Sequence, residues 1–291
     1  MRSATRSALG SLAPPAGLID GGPFEIAEDR DVLRFQRAGR PADGLDLQAA
    51  LGSGKYAITY IGECEQESLT EARMTYMPAR RAWCDTPGQG VTANLRVGEK
   101  HEMGIARKCI LCHAVTLGQG SLLPAPEFQG VGCESCHGAG AAHVAAMRAG
   151  GKGALAIDDP RKWQASPINA VCSRCHRSLN DVPIFTEDAG QTARYQGYGI
   201  ELSACYRKSG GRLSCITCHN PHANAPTNVR SYDRACLSCH GATIVNHAAP
   251  CPVQPTGGCV PCHMPKRNVF PDQHIPIAMA DHLILARRPR K

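Results

Sequence analysis

Aromatic residues and long apolar runs are both scarce in this sequence. Phe, Trp and Tyr supply 5% of its 291 residues, whereas Gly contributes 30 and Pro 21. A chain of this composition has few large side chains from which to build an ordinary apolar core. No stretch of 18 apolar residues occurs, so the sequence predicts no transmembrane helix.

The sequence also has no Cys-x-x-Cys pair that lacks a His directly after it. Such pairs can bind zinc, and sixteen cysteines could form a disulfide framework, but neither use requires a His after every second Cys. Cys-x-x-Cys-His is instead the attachment signature of haem c, in which two thiols add to the haem vinyl groups and the imidazole binds the iron. In chain order, motifs 1 to 6 are Cys109/Cys112/His113, Cys133/Cys136/His137, Cys172/Cys175/His176, Cys215/Cys218/His219, Cys236/Cys239/His240 and Cys259/Cys262/His263.

Six further histidines match the number of motifs. An iron bound by His on both faces needs a second, distal imidazole, so six haems would need six of them. Iron with two imidazoles has no open position for a substrate, which favours electron transfer over catalysis. Each of these histidines would otherwise be a surface or packing residue. The candidate distal ligands are His101, His143, His222, His247, His274 and His282.

Two of these histidines lie too close to a motif in sequence to serve the haem of that motif. His222 comes three residues after His219, and His143 comes six after His137. Ligands on opposite faces are each about 2 Å from the iron, so a residue this near cannot easily pass the edge of the macrocycle. We therefore expect His222 and His143 to bind irons that other motifs attach, which would tie neighbouring haems into close pairs.

The expected fold is mostly irregular, with short α-helices packed around a chain of six haems and a small β-rich N-terminal cap. Residues 1–100 contain no haem motif and are expected to form the cap, whereas residues 101–291 form the six-haem domain. That domain has one motif per about 32 residues, so the haems would be its core and its folding would depend on them. Strands are predicted at 32–35, 56–61 and 73–77, short helices at 141–148 and 281–286, and long loops at 150–167 and 182–211.

The formal charge of +7 does not by itself indicate a nucleic-acid or membrane partner. Each haem adds two propionates to a ferric core of about one positive charge, so six haems bring the oxidised protein to about +1 and the reduced protein to about −5. The basic residues near the C-terminus are therefore expected to form a solvated tail, with a docking patch as the alternative. They are Arg287, Arg288, Arg290 and Lys291.

Haem c is attached outside the cytoplasm, so we expect the chain to be exported to the periplasm or to the cell exterior. Its start is a poor signal peptide, because Pro14 and Pro15 end a short apolar run. An oxidising compartment allows disulfides between the four cysteines outside the motifs. Cys64–Cys84 is the expected pair and Cys205–Cys251 a second one, and a free buried thiol is the alternative for each.

Three motifs are part of longer patterns. Motif 2 continues with Gly-Ala-Gly before His143, motif 4 with Asn-Pro before His222, and motif 6 with Met-Pro-Lys-Arg before His274 and His282. In these residues the chain resembles the multihaem cytochromes typified by the tetrahaem electron acceptor of hydroxylamine oxidation (cytochrome c-554-like). It resembles more closely the multihaem cytochromes that are often fused to tetratricopeptide repeats. The similarity includes Cys205-Tyr206 and the strand at 52–60, and it covers most of residues 50–288.

The resemblance implies roles for most of the distal candidates. It implies that His143 and His222 bind irons of other haems, as their spacing suggests independently. It also matches His247, His274 and His282 to histidines of the family, whereas His101 has no firm counterpart there. Relatives often have His where this chain has Tyr, at position 56, and the tetratricopeptide repeats are absent here.

The sequence thus predicts an electron-transfer protein that relays single electrons through six closely spaced haems. Its partners would be redox proteins, or further copies of itself in an extracellular filament, with no nucleic acid among them. The alternative is a multihaem oxidoreductase with one open haem that acts on a small nitrogen or sulfur oxyanion. A third reading is haem storage or a structural role. No variant motif marks an open haem, so an electron carrier rather than an enzyme is expected.

Overall fold

Most strands of the protein lie in its first hundred residues, where short alternating apolar segments predict them. The computed structural model combines antiparallel sheets with short helices, and its N-terminal region is β-rich, as expected. Its contacts divide the chain into two compact units, Arg2–Asp158 and Asp159–Lys291. The structure describes residues 4–7 (backbone only), 12–20, 22–64, 68–89, 96–151, 156–182, 189–241, 251, 253–254, 256–270 and 275–285.

The elements are short throughout. The strands are β1 Ala4–Ser7, β2 Gly17–Leu18, β3 Phe24–Asp29, β4 Val32–Arg37, β5 Arg40–Leu47, β6 Ala49–Gly52, β7 Ile58–Cys64, β8 Ser68–Met77, β9 Ala82–Asp85, β10 Gly98–His101, β11 Lys266–Asn268 and β12 Ala278–Ala280. The helices are α1 Met103–His113, α2 Glu134–His137, α3 Ala141–Arg148, α4 Ala165–His176, α5 Ala189–Thr192, α6 Gln196–Leu202, α7 Ala204–Lys208, α8 Cys215–Cys218, α9 Asp233–His240 and α10 Cys259–His263. Single 3-10 turns occur at Pro126–Phe128, Pro160–Lys162, Leu179–Asp181 and Val229–Tyr232. None of the described helices combines the length and the apolar character needed to cross a membrane.

Two antiparallel sheets form the N-terminal unit. One has the order β1-β6-β7-β8-β10 with β9 also paired to β8, and the other has the order β2-β3-β4-β5. The chain passes from the second sheet to the first at Gln48, whose N–H donates to the Ile61 carbonyl at 3.0 Å. Gly62 permits this close approach, because a Cβ there would lie 2.3 Å from the Asp46 carbonyl oxygen.

Alternating apolar residues of both sheets supply the core of this unit. Phe24 and Phe35 stack with their ring centroids 5.1 Å apart. Tyr60 is fully buried and contacts Trp83, with 6.0 Å between the ring centroids. These few aromatic residues are therefore concentrated in one protein core that needs no cofactor.

Helix α1 carries motif 1 and packs on the same unit. Ala106 and Ile110, four residues apart on one face, are fully buried against a cluster that includes Ile61 and Leu69. The compact N-terminal unit therefore extends to Asp158 and includes motifs 1 and 2. The predicted division at residue 100 separates the residues without haem motifs from those with them. The two compact units are defined by packing instead, so the division at residue 100 stays a prediction.

The C-terminal unit has little apolar core of its own. Its helices run from α4 to α10, and β11 and β12 form a small antiparallel pair. The buried apolar side chains described in this unit are few and scattered along the chain. They are Ala165, Ile168, Val182, Ala193, Val260, Val269 and Ile275.

Several predicted elements are confirmed, and three are wrong. The strands at 32–35, 56–61 and 73–77 correspond to β4, β7 and β8, and the helix at 141–148 is α3. The predicted loop at 182–211 instead contains α5, α6 and α7. The predicted loop at 150–167 contains the Pro160–Lys162 turn and the first residues of α4.

The predicted helix at 281–286 is also wrong, because β12 ends at Ala280 and residues 281–285 have no helical turn. Asp281 is buried and accepts the Leu283 N–H at 2.9 Å and the Arg267 Nε–H at 2.7 Å. A local hydrogen bond from an Asp to the second residue after it competes with helix formation. Residue 286 lies outside the described residues.

The expected Cys64–Cys84 disulfide is wrong for this fold. Cys64 pairs with Ser68 at one end of β8, and Cys84 pairs with Thr75 near its other end. Seven strand residues span about 23 Å, whereas a disulfide needs Cα atoms within about 7 Å. Both are free thiols, and so are the residues of the second expected pair, Cys205–Cys251.

Candidate functional site

Every Cys-x-x-Cys-His motif lies on a helix or at its end. Motifs 1, 3 and 5 form the last turns of α1, α4 and α9, and motifs 2, 4 and 6 lie on the short helices α2, α8 and α10. Residues three apart in a helix share a face, so the two thiols of one motif point to the same side. The His follows directly at the helix end. This geometry fits a cofactor that two thioether bonds hold while an imidazole approaches its iron.

The first cysteines of motifs 3 and 4, Cys172 and Cys215, are hydrogen-bonded to each other. Asn169 of α4 is buried, and its Oδ1 accepts the Cys215 N–H at 2.9 Å and the Cys215 Sγ–H at 3.2 Å. The hydrogen bond with Cys215 lowers the pKa of the Cys172 thiol to about 7 and, together with burial, raises the pKa of Cys215. The attachment points of motifs 3 and 4 are therefore adjacent.

Motifs 5 and 6 meet in the same way, through a hydrogen bond between Cys236 and Cys259. Asp233, the buried first residue of α9, accepts the Gly258 N–H at 2.8 Å and the Cys259 N–H at 3.1 Å. The Gly258 and Cys259 N–H groups hold the pKa of Asp233 below its usual range. Burial, followed by the charges of Cys236 and Asp233, raises the pKa of Cys259 to about 12.

Asn169 and Asp233 occupy equivalent positions. Each lies three residues before the first Cys of its motif, and each accepts the N–H of the first Cys of the next motif. The contacts Cys172–Cys215 and Cys236–Cys259 thus share one arrangement and are here called the first and second cysteine pair. Asn169 and Asp233 were not predicted from the sequence, although a polar acceptor three residues ahead of the first Cys in two motifs was a signal for them.

The structure does not bring every predicted attachment cysteine into such a pair. Cys112, Cys136, Cys175 and Cys262, each the second Cys of its motif, belong to neither cysteine pair. Cys112 on α1 and Cys136 on α2 are half-buried, whereas Cys175 on α4 and Cys262 on α10 are exposed. A second Cys lies one helical turn beyond the first, nearer the helix end. Haem attachment stays a prediction from the motif for all twelve motif cysteines.

Cys205 lies close to motif 4 and to motif 5. Burial and the nearby Cys205 raise the pKa of Cys218 in motif 4, and burial and Cys239 of motif 5 raise the pKa of Cys205. The charge of Cys218 also contributes to the raised pKa of Cys236. Motifs 3, 4, 5 and 6 therefore follow one another in space as they do in sequence.

Three motif histidines use Nδ1 to bond to an oxygen. His137 Nδ1 lies 2.7 Å from the Asp158 carbonyl oxygen, and His263 Nδ1 lies 2.8 Å from that of Leu285. His176 Nδ1 lies 3.0 Å from Gln196 Oε1. Because these oxygens only accept, Nδ1 carries the proton and Nε2 presents its lone pair, which is the usual state of an iron-binding His.

The distal candidate His282 faces the motif 4 histidine. The ring centroids of His219 and His282 are 6.2 Å apart, and the ring planes differ by 28°. Burial lowers the pKa of His219, and burial is also the main reason why the pKa of His282 falls to about 4. Both rings are therefore neutral at neutral pH, the state in which an imidazole binds a metal.

The other distal candidates are more dispersed. His101 ends β10, where its Nε2 lies 3.2 Å from Glu71 Oε2, and this hydrogen bond raises its pKa. His143 lies on α3. The chain turns at His222, whose N–H donates to Asn220 Oδ1 at 3.0 Å. The candidates His247 and His274 and the basic tail lie outside the described residues.

Large apolar side chains are exposed beside motifs 1 and 2. On α1, Met103, Ile105 and Leu111 are 44%, 56% and 53% exposed, and Val144 and Met147 on α3 are also exposed. Val144 and Met147, three residues apart, share one face of α3, and an exposed apolar face of this kind marks a surface that something else covers. A haem attached at the neighbouring cysteines would present a flat apolar surface that can cover these side chains. The thiols, the oriented imidazoles and these apolar surfaces together fit haem c.

A sequence model of the family "Outer membrane cytochrome MtrC/MtrF-like, domains II/IV" matches residues 93–231. The matched range is a little under half of the chain and contains motifs 1 to 4. No curated protein and no solved structure gives a significant match. The match supports a multihaem cytochrome, although not the hydroxylamine-oxidation type in particular. The chain is therefore a multihaem c-type cytochrome, an electron carrier rather than an enzyme, that acts outside the cytoplasm.

Proposed function

We propose that the chain binds six haem c groups and relays single electrons through them between redox proteins. The observation that carries this proposal is the adjacency of the attachment cysteines in motifs 3 to 6. Haems fixed at adjacent cysteines are held close together, which short-range electron transfer requires. Each bound haem would supply an iron that takes up and returns one electron.

Within the C-terminal unit, the proposed order of transfer follows the motif order from 3 to 6. The first cysteine pair joins motifs 3 and 4, Cys205 lies between motifs 4 and 5, and the second cysteine pair joins motifs 5 and 6. The protein residues would set the potentials by burial, charge and hydrogen bonding near the sulfur atoms. Asn169 and Asp233 are the clearest such residues, because each holds a cysteine N–H of the next motif.

The proposed axial ligands are the six motif histidines and, on the distal side, His143, His222, His247, His274 and His282. His101 is the sixth distal candidate. It would bind iron through Nε2 only after giving up its contact with Glu71. The Nδ1 hydrogen bonds of His137, His176 and His263 support this proposal, because they place the proton on Nδ1 and so leave Nε2 as the nitrogen that can bind a metal.

Thioether bonds are proposed at all twelve motif cysteines. For Cys112, Cys136, Cys175 and Cys262 the proposal rests on the spacing within the motif and on their place at the helix ends, not on a contact with another motif. The exposure of Cys175 and Cys262 leaves their thiols accessible to the haem vinyl groups.

Redox proteins are the partners that the family match favours. The family is one of outer-membrane cytochromes, which supports a place at the cell surface and a role in extracellular electron transfer. No observation favours a homopolymeric filament over a single chain. Kinship with the hydroxylamine-oxidation and tetratricopeptide-fused cytochromes rests on the sequence patterns around motifs 2, 4 and 6 alone.

The haem count gives the first test. The mass of the matured protein under denaturing conditions is expected to equal that of the chain plus six haems, because thioether bonds survive unfolding. Electron paramagnetic resonance of the oxidised protein is expected to show low-spin iron in at least five of the six haems. Five or fewer haems in a fully matured sample, or several high-spin irons, would contradict the proposal.

A further inference from the structure

The structure brings the ring of one distal candidate close to the ring of one motif histidine. His219 belongs to motif 4, and His282 lies 63 residues later, two residues after the end of β12. Their rings are nearly parallel, at 28°, with centroids 6.2 Å apart. This distance lies within the range of about 4.5–7 Å that packed aromatic rings adopt.

The separation is the one that a shared iron imposes. A ligating nitrogen lies about 2 Å from the metal, and the centre of an imidazole ring lies about 1 Å beyond that nitrogen. Two imidazoles on opposite faces of one iron therefore have centroids about 6 Å apart. A nearly flat macrocycle fits in the space between them.

Hydrogen bonds fix His282 in the orientation that ligation needs. Its Nδ1 lies 3.0 Å from the Ala280 carbonyl oxygen, so Nδ1 is protonated and Nε2 carries the free lone pair. Among the residues that the structure describes, Nε2 of His282 makes no hydrogen bond. Asp281, held by Arg267 and the Leu283 N–H, fixes the backbone on either side.

Packing holds both histidines in place. Gly199 of α6 lies against the backbone of His282, where a Cβ would come within 2.9 Å of the His282 carbonyl carbon. The His219 N–H donates to the Cys215 carbonyl at 3.0 Å, and the Tyr232 ring meets the His219 ring edge-on at 5.4 Å. The two rings are thus positioned by separate elements, α8 and the segment after β12.

We propose that His219 and His282 are the two axial ligands of the haem attached at Cys215 and Cys218. This inference rests on the proposed haem binding and assigns one iron to a named pair. The segment after β12 then closes over motif 4 and fixes the chain's last described residues to that haem. His222, which lies next to motif 4 in sequence, is left to serve another iron.

The test begins with His282→Ala in the matured protein. Loss of one imidazole is expected to convert one haem from low spin to high spin and to let the reduced protein bind one equivalent of carbon monoxide. The haem itself stays attached, because its thioethers and His219 remain. Leu283→Ala is the matched control, since it shortens the neighbouring side chain without removing an imidazole, and all haems should stay low-spin. A His282→Ala protein with every haem still low-spin would overturn the inference.

A second variant, in which the motif 4 haem is absent, identifies the iron that loses its distal ligand. The variant Cys215→Ser/Cys218→Ser lacks the motif 4 haem, so adding His282→Ala there is expected to open no further haem. If the added substitution still opens one, His282 serves a different iron and the assignment fails. The unmodified protein's own haem count and spin state test the proposed function separately, so the two failures can be told apart.

A third variant tests the same assignment without removing the motif 4 haem. His282→Met supplies a thioether ligand from the same position, and a Met/His haem has a higher potential than a bis-His one. One haem is expected to remain low-spin while its potential rises, with a single upfield-shifted methionine methyl resonance in the reduced protein. Nuclear Overhauser contacts between that methyl and the haem bonded to Cys215 and Cys218 support the assignment. Contact with any other haem overturns it.

Discussion

Replacing Cys215 and Cys218 with serine is expected to split the reduction of the remaining haems into two kinetic phases. The motif 4 haem lies between those of motifs 3 and 5 in the proposed order, so its loss interrupts the series rather than shortening it. Haems on the donor side of the gap should be reduced as rapidly as in the parent protein. Those beyond it should be reduced slowly, because electron transfer weakens steeply with distance. Stopped-flow absorbance with a protein electron donor measures both phases.

The control for this prediction removes a haem from the end of the series. Cys259→Ser/Cys262→Ser also yields a protein with one haem fewer, but it leaves motifs 3, 4 and 5 in sequence. Reduction of this variant is expected to stay in a single phase. Denatured mass confirms the number of haems in each variant, and circular dichroism confirms that each is folded. Identical single-phase kinetics in both variants would contradict the proposed order.

The haem motifs could be found from the sequence because attachment chemistry is local. Two thiols and an imidazole within five residues satisfy the covalent and coordination requirements of haem c without help from distant parts of the chain. The β-rich N-terminal region could be predicted for a similar reason. Alternating apolar residues in β4, Leu33 and Phe35, form a buried face whichever strands pair with them.

The supporting residues could not be predicted because their partners are distant in sequence. Asn169 bonds to Cys215, and Asp233 bonds to Cys259, and neither contact has a local pattern beyond a polar residue near a motif. Helix α6 was missed because its sequence contains Gly197 and Gly199, which disfavour helices. Both are buried, and a Cβ at Gly197 would lie 2.2 Å from the Arg177 carbonyl oxygen, so tertiary packing overrides propensity there.

The disulfide prediction was wrong for a related reason. Cys64 and Cys84 were predicted to pair because both lie in the β-rich N-terminal region of an exported protein. The distance between them, however, depends on strand register. The Cys64 thiol lies 3.1 Å from Thr70 Oγ1, whereas the Cys84 thiol donates to the Thr75 carbonyl. Pairing of β8 with β7 on one side and β9 on the other sets these two cysteines far apart.

Because Asn169 and Asp233 occupy equivalent positions, replacing Asp233 with Asn and Asn169 with Asp is expected to shift the reduction potentials of the nearby haems in opposite directions. Asp233→Asn removes a negative charge beside the second cysteine pair, and Asn169→Asp adds one beside the first. A reduced haem carries one more negative charge than an oxidised haem, so a nearby carboxylate disfavours reduction. We expect Asp233→Asn to raise the potential of a haem at motif 5 or 6 by an amount on the order of tens of millivolts. Asn169→Asp should lower a potential at motif 3 or 4.

Both substitutions retain an oxygen that accepts the cysteine N–H. They therefore test the effect of charge on the haem potential while the hydrogen bond is kept. Asp233→Ala and Asn169→Ala remove the acceptor as well, and each should lower the free energy of unfolding by about 1 kcal/mol or more. Spectroelectrochemical titration measures the potentials, and thermal unfolding measures stability. Shifts of the same sign in the Asn and Asp variants would contradict the charge argument.

The pH dependence of the Asp233→Asn shift provides the strongest check. The Gly258 and Cys259 N–H groups hold the pKa of Asp233 below its usual range, so the carboxylate stays ionised at every pH above about 4. The difference in potential between the parent and Asp233→Asn should therefore be constant above that pH and disappear as the pH falls through the lowered pKa of Asp233. The stability that the ionised carboxylate contributes should be lost over the same range, since its pKa is lower in the folded than in the unfolded chain. A difference that titrates near neutral pH would instead assign the effect to a propionate or a histidine, and Asp233 would then only hold the backbone of motif 6.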